Sequence, residues 1–110
     1  MKIDINKIAQ EATEAQNEGR LEDAIESYKK LLEYVPKFAE AHSNLGTLLY
    51  QIGKADEAVA SYSKAIELNP EKAEIHYNFS KLLKNLGKLD KAELSFKKAL
   101  EIKPDLKDAR

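Results

Sequence analysis

All three prolines of this chain, Pro36, Pro70 and Pro104, lie 34 residues apart. A fixed period of this size marks stacked repeats, units that cannot bury a core alone and are completed by their neighbours. Gly19, Gly53 and Gly87 keep the same interval, as do Ala24, Ala58 and Ala92 and the aromatics Tyr28, Tyr62 and Phe96. Four residue classes in one register exclude coincidence. Units of residues 5–38, 39–72 and 73–106 account for 102 of the 110 residues, so the expectation is a single domain of three repeats.

Within each unit two helical patterns flank the glycine. The second unit reads Ala41, Leu45, Leu48 and Ile52 as one apolar stripe, then Ala55, Val59, Tyr62 and Ile66 as another, with no strand-like alternation competing. Glycine takes the left-handed conformation that ends a helix without a Cβ clash, which places a turn at Gly53-Lys54. Pro70 stops the second helix, because the residue before proline leaves helical geometry and the ring cannot continue the ladder. The predicted fold class is all-α, each unit a helix-turn-helix.

These residues resemble the tetratricopeptide repeat. Ala39 to Gly46, Ala58, Tyr62, Ala65 and Pro70 of the second unit match its pattern, as do Phe79, Ser80, Leu83, Gly87, Ala92, Phe96, Ala99 and Pro104 of the third. The departures are His42 and His76, where the family usually has a large residue such as Trp. The resemblance implies an α-solenoid, a right-handed superhelix of three repeats, acting as a non-catalytic protein-interaction module. Small residues at Ala12, Gly46 and Ser80, facing Ala24, Ala58 and Ala92, let helix backbones approach, and the aromatics fill the wider gaps.

The two ends differ from the middle. Glu11 stands where leucine is expected and Ala15 where a larger residue is usual, leaving the first helix a thin stripe of Ile5, Ile8, Ala12 and Ala15 and suggesting a terminal repeat. At the other end Lys107 to Arg110 aligns with the start of the earlier units, as though a fourth unit, or a cap, begins there. With so little chain to cover it, an apolar edge of Leu89, Leu94, Phe96 and Leu100 is expected to drive self-association into homo-oligomers.

Composition narrows the chemistry. With 18 basic and 19 acidic residues there is no electrostatic case for nucleic acid or an anionic membrane as partner. No cysteine is present, which removes thiolate nucleophiles and zinc-thiolate sites. No apolar run has the length of a signal peptide or a membrane span, so a cytoplasmic chain is the default. There is no glycine-rich phosphate loop, no HExxH and no nucleophile elbow, hence no expected enzyme activity, metal or cofactor. His42 and His76, one repeat apart, would stand about 10 Å from each other, too far to share a zinc with ligands at about 2 Å.

What the resemblance offers is a concave groove lined by the first helix of each unit and able to hold a protein or peptide. By position its binding residues are Gln10, Thr13, Asn44, Thr47, Tyr50, Gln51, Tyr77, Asn78, Lys81, Lys84 and Asn85. Amides offer both donor and acceptor, so a spaced row can pair with an extended peptide backbone irrespective of its sequence. Gln10, Asn44 and Asn78 share one register and resemble the asparagine ladder in the tetratricopeptide domain of the enzyme that adds N-acetylglucosamine to proteins. Intramolecular hydrogen bonding is the other reading of the same residues. The family's carboxylate clamp for chaperone tails is not supported: its places hold Ala9, Thr13, Asn44, Glu74 and Asn78, and Glu74 would repel a carboxylate.

Charge rises along the chain, reaching nine basic against six acidic residues from 73 to 110, with Lys81, Lys84 and Lys88 close together. This gradient could bias an acidic segment of a ligand toward that end. Two functions from other classes stand beside the interaction module. One is a substrate-presenting N-terminal arm of a larger glycosyltransferase- or sulfotransferase-like enzyme; the other is self-assembly through the C-terminal edge.

Overall fold

The structure, a computed structural model, describes residues 2–108. Among these residues there is no strand, and six α-helices follow one another: α1 (Ile5–Asn17), α2 (Leu21–Tyr34), α3 (Ala39–Gln51), α4 (Ala55–Leu68), α5 (Ala73–Asn85) and α6 (Leu89–Ile102). A short 3-10 helix, Pro104–Asp108, comes last. The all-α helical-repeat class implied by the 34-residue period is the one observed.

The helix ends follow from the punctuation. Asp4 caps α1, its carboxylate accepting from the Lys7 amide at 3.1 Å. Gly53 has φ of 85°, which lets the Lys54 amide reach the Leu49 carbonyl at 2.8 Å and the Gly53 amide reach Tyr50 at 3.0 Å. Carbonyls that the end of α3 would leave unpaired are thereby satisfied.

The chain divides into two compact units, Met1–Leu68 and Asn69–Arg110. In the first, α1 packs on α2, α2 on α3 and α3 on α4. Its interior includes Ala12, Ala24, Tyr28, Leu31, Ala41, Leu48, Ala58 and Tyr62, with Leu31 and Leu48 the largest side chains fully withdrawn from water. Burying each such leucine is worth about 1.5–3 kcal/mol. Gly46 marks a close approach of α3 and α4, because a Cβ there would meet the Tyr62 ring and the Ala58 carbonyl. In the second unit α5 packs on α6 and α6 on the 3-10 helix.

The two histidines have a shared structural task. His42 Nε2 lies 2.9 Å from the Pro36 carbonyl, and His76 Nε2 lies 2.8 Å from that of Pro70. A carbonyl only accepts, so Nε2 carries the proton in both rings. Each histidine ties the first helix of its repeat to the turn that precedes it.

The expected C-terminal edge is parted by the structure. Leu106 of the 3-10 helix is only 8% exposed and closes over Ala73 and Ala99, with Leu100 half-buried against that cluster. Leu94 is exposed, but five residues of helix put it about 140° round α6 from Leu89, on a different side. Leu89 and Phe96 alone of the four remain beside a common opening. Of the fourth-unit start expected at residues 107–110, Lys107 and Asp108 end the 3-10 helix, and Ala109 and Arg110 lie outside the described residues.

Candidate functional site

In the first unit the expected binding residues sit on α1 and α3. Gln10 is exposed and donates from Nε2 to Glu14 Oε1 at 3.1 Å; Thr13 donates back to the Ala9 carbonyl at 3.0 Å. Both bonds stay within α1. Asn44 is half-buried and donates from Nδ2 to the Tyr28 hydroxyl at 3.2 Å, and that hydroxyl donates to Gln16 Oε1 at 2.8 Å. This relay joins α3, α2 and α1 in one hydrogen-bonded chain. Thr47 pairs with the Tyr62 hydroxyl, and burial pushes the Tyr62 phenol above its ordinary range, the hydroxyls of Thr47 and Ser43 opposing the shift. Tyr50 is half-buried and Gln51 exposed.

The amide row therefore shares a register but not an environment. Gln10 is engaged along its own helix, whereas Asn44 is engaged across helices. Sequence reading missed the partners Gln16 and Tyr28, although Tyr28 was already marked by the period; the signal was the polar tip of an aromatic at a buried place.

An opening in this unit, about 370 Å³, lies between α1 and α2 and is lined by charge: Glu11, Glu14, Asp23 and Glu26 against Arg20 and Lys30. Arg20 is held by Glu18 at 2.8 Å and Asp23 at 3.1 Å. At these exposures such pairs add little to stability.

In the second unit Tyr77 and Asn78 are half-buried, while Lys81, Lys84 and Asn85 are exposed on α5. The Tyr77 and Phe96 rings stand 6.1 Å apart at 43°, and Lys81 Nζ lies 5.1 Å from the centre of the Tyr77 ring, a cation–π geometry. Tyr77, Lys81 and Lys84 of α5 face Leu89, Ala92, Glu93 and Phe96 of α6 across a cleft of about 450 Å³. Its walls are largely apolar and aromatic, with Lys81 and Lys84 on the α5 side and Glu93 on the α6 side. The structure brings Tyr77, Lys81 and Lys84 together here; Asn78 and Asn85 do not line the cleft.

Among the described residues no group of three or more His, Cys, Asp or Glu side chains is placed to hold a metal ion, and no helix is long and apolar enough to cross a membrane.

The tetratricopeptide-repeat family model matches residues 10–72 and, in overlapping register, 44–107. The chain belongs to the tetratricopeptide-repeat family. Its fold is similar to that of MamA, at 29% identity and a TM-score of 0.86 over 92% of this chain and 59% of that one. A mutant of the Thermobaculum terrenum O-GlcNAc transferase is similar at 28% identity and a TM-score of 0.86, over 96% of this chain and 21% of the transferase. The first tetratricopeptide domain of Spaghetti bound to an HSP90 peptide shares the fold at 19% identity and a TM-score of 0.86, over 92% of this chain and 80% of that one. The chain thus spans 59% of MamA and 21% of the transferase. No curated protein matches it. A tetratricopeptide fold is a protein-interaction module.

Proposed function

We propose that this chain is a non-catalytic interaction module that holds an extended peptide or partner helix through the polar residues of its first-of-pair helices. The observation that supports this reading most directly is the placement of Asn44. Its Nδ2 is fixed by Tyr28 within the unit, so the carboxamide is oriented in advance and its oxygen is the acceptor offered to a peptide amide. Asn78 repeats that position in the second unit, and Thr47 and Tyr50 add polar and aromatic surface beside Asn44.

The test is selection of extended peptides from a random display library on the whole chain, followed by titration against Asn44→Ala and Asn78→Ala. Each substitution is expected to weaken binding about fivefold, the equivalent of one hydrogen bond of about 1 kcal/mol. Enriched peptides whose affinity ignores both substitutions would remove the amide row from the mechanism; no enrichment at all would remove the module reading.

A second reading is favoured by one observation, the 28% identity to the O-GlcNAc transferase over 96% of this chain. In it the same helices present protein substrates to a catalytic domain elsewhere in a longer protein. Sequence of the parent gene beyond Arg110 decides between them.

A further inference from the structure

The Tyr28 hydroxyl stands between two side-chain amides, and the single proton it carries couples them. It donates to Gln16 Oε1 at 2.8 Å and accepts from Asn44 Nδ2 at 3.2 Å. Tyr28 is only 3% exposed, so the relay rather than bulk water must supply an acceptor for that proton. A phenol has one proton to give. While Gln16 takes it, Asn44 is the donor. Were Gln16 unable to accept, the proton would turn to Asn44, and the carboxamide would have to turn over to present its oxygen to Tyr28. Which end of Asn44 is left for a peptide is therefore decided at Gln16, two helices away on α1.

Packing does not call for an amide at residue 16. The places one and two repeats later hold Tyr50 and Lys84, which differ from glutamine in shape, length and charge. The set 16, 28 and 44 recurs as Tyr50, Tyr62 and Asn78, with a phenol in place of the first amide, and the Tyr62 hydroxyl pairs with Thr47. An amide at each end of a buried tyrosine is thus spelled once in this register. Gln16 and Asn44 are both half-buried, so the relay runs from the flank of α1 to a place that a peptide can still reach.

We propose, resting on the interaction-module reading, that Gln16 is a positioning residue that sets the hydrogen-bonding sense of the Asn44 site. With Nδ2 turned to Tyr28, the Asn44 oxygen is the free end. The site then selects a backbone N–H of an extended peptide and turns away a group that can only accept, because two acceptors facing each other repel. With the opposite sense the same asparagine would take a peptide carbonyl instead.

The sense is read first in the free chain, from nuclear Overhauser contacts of the side-chain amides. The Asn44 Nδ2 protons are expected to lie closer to the Tyr28 ring protons beside the hydroxyl than the Gln16 Nε2 protons do. Gln16→Glu, which can only accept, should keep that pattern. Gln16→Met, similar in shape but at best a weak acceptor, should remove it as Asn44 turns over. The binding probe is a peptide enriched from the display library, with its set of single backbone-ester analogues, each lacking one N–H. In the wild type and in Gln16→Glu one ester should weaken binding about fivefold, the equivalent of one hydrogen bond. That penalty should vanish in Asn44→Ala and in Gln16→Met. A Gln16 that merely braces the helices would lower the melting temperature in Gln16→Met and leave the ester pattern unchanged, which overturns the proposal. So do contacts in the wild type that make Gln16 the donor to Tyr28. Peptides that bind through Asn44 but tolerate every ester overturn it too, and leave the interaction-module reading standing, whereas a selection that enriches no peptide removes that reading and the proposal with it.

Discussion

Replacing Gly46 with alanine measures how closely α3 and α4 are forced together. A Cβ on Gly46 would stand 2.8 Å from Tyr62 Cδ2, 3.0 Å from Cε2 and 3.2 Å from the Ala58 carbonyl oxygen. Neither neighbour yields easily, since Tyr62 is 3% exposed with its hydroxyl bonded to Thr47, and the carbonyl belongs to the backbone of α4. Overpacking of this kind costs about 1–3 kcal/mol. Alanine recovers about 1 kcal/mol of helix propensity over glycine. The net is a loss of about 0–2 kcal/mol, centred near 1, which lowers the melting temperature by about 4–8 °C in a domain of this size. Urea unfolding followed by circular dichroism, with unchanged slope, supplies the number. In a Tyr62→Leu background the ring contacts are gone and only the 3.2 Å approach to the Ala58 carbonyl remains, so the same alanine should cost less than in the wild type, its propensity gain of about 1 kcal/mol offsetting more of the strain. Gly46→Ala that stabilises the wild-type chain by the full propensity term would refute the close approach.

The histidine ties predict unequal losses: His76→Ala, at a 6% exposed place, should cost about 2–3 kcal/mol and His42→Ala, half-buried, about 1, both read from thermal melts. Burial raises the Tyr62 phenol above its ordinary value of 10.0, so its contribution is fully present below that pH and is lost as pH climbs through the folded-state value. Urea midpoints measured from about pH 8 to 11 should fall at the alkaline end in the wild type and fall less in Tyr62→Phe. Leu106→Asp should release the 3-10 helix and uncover Ala73 and Ala99, seen as faster amide exchange at residues 105 and 106 with α1 to α4 unchanged.

The parts of this fold that repeat were legible before any coordinates. Proline and glycine dictate where helices stop through backbone sterics that operate locally, and three copies in register leave little freedom about the pairing of helices. The C-terminal edge was less legible because its outcome depends on angles round α6 and on what the last few residues do. Leu94 and Leu89 look alike in a list of apolar residues but lie on different sides of the helix, and Leu106 closes over Ala99 through a 3-10 turn that no periodicity announces. The polar surface was legible as position and not as partnership. That Asn44 bonds to Tyr28 across two helices follows from tertiary packing, while Gln10, at the same register, turns to Glu14.

A repeat protein offers its own control experiment, and function is best sought where the copies depart from one another for no structural reason. Gln16, Tyr28 and Asn44 form a neutral relay inside a packed interface, and a neutral relay is what a buried contact needs, since an unpaired charge there is costly. In the second unit the equivalent of Gln16 is Lys84, and the equivalent of Tyr28 is Phe96. Packing alone does not call for either change: glutamine would fill the volume at Lys84, and tyrosine would fill that at Phe96. The lysine is tolerated because the cleft is open to water, where its ammonium group stays hydrated while its stem lies along the apolar wall.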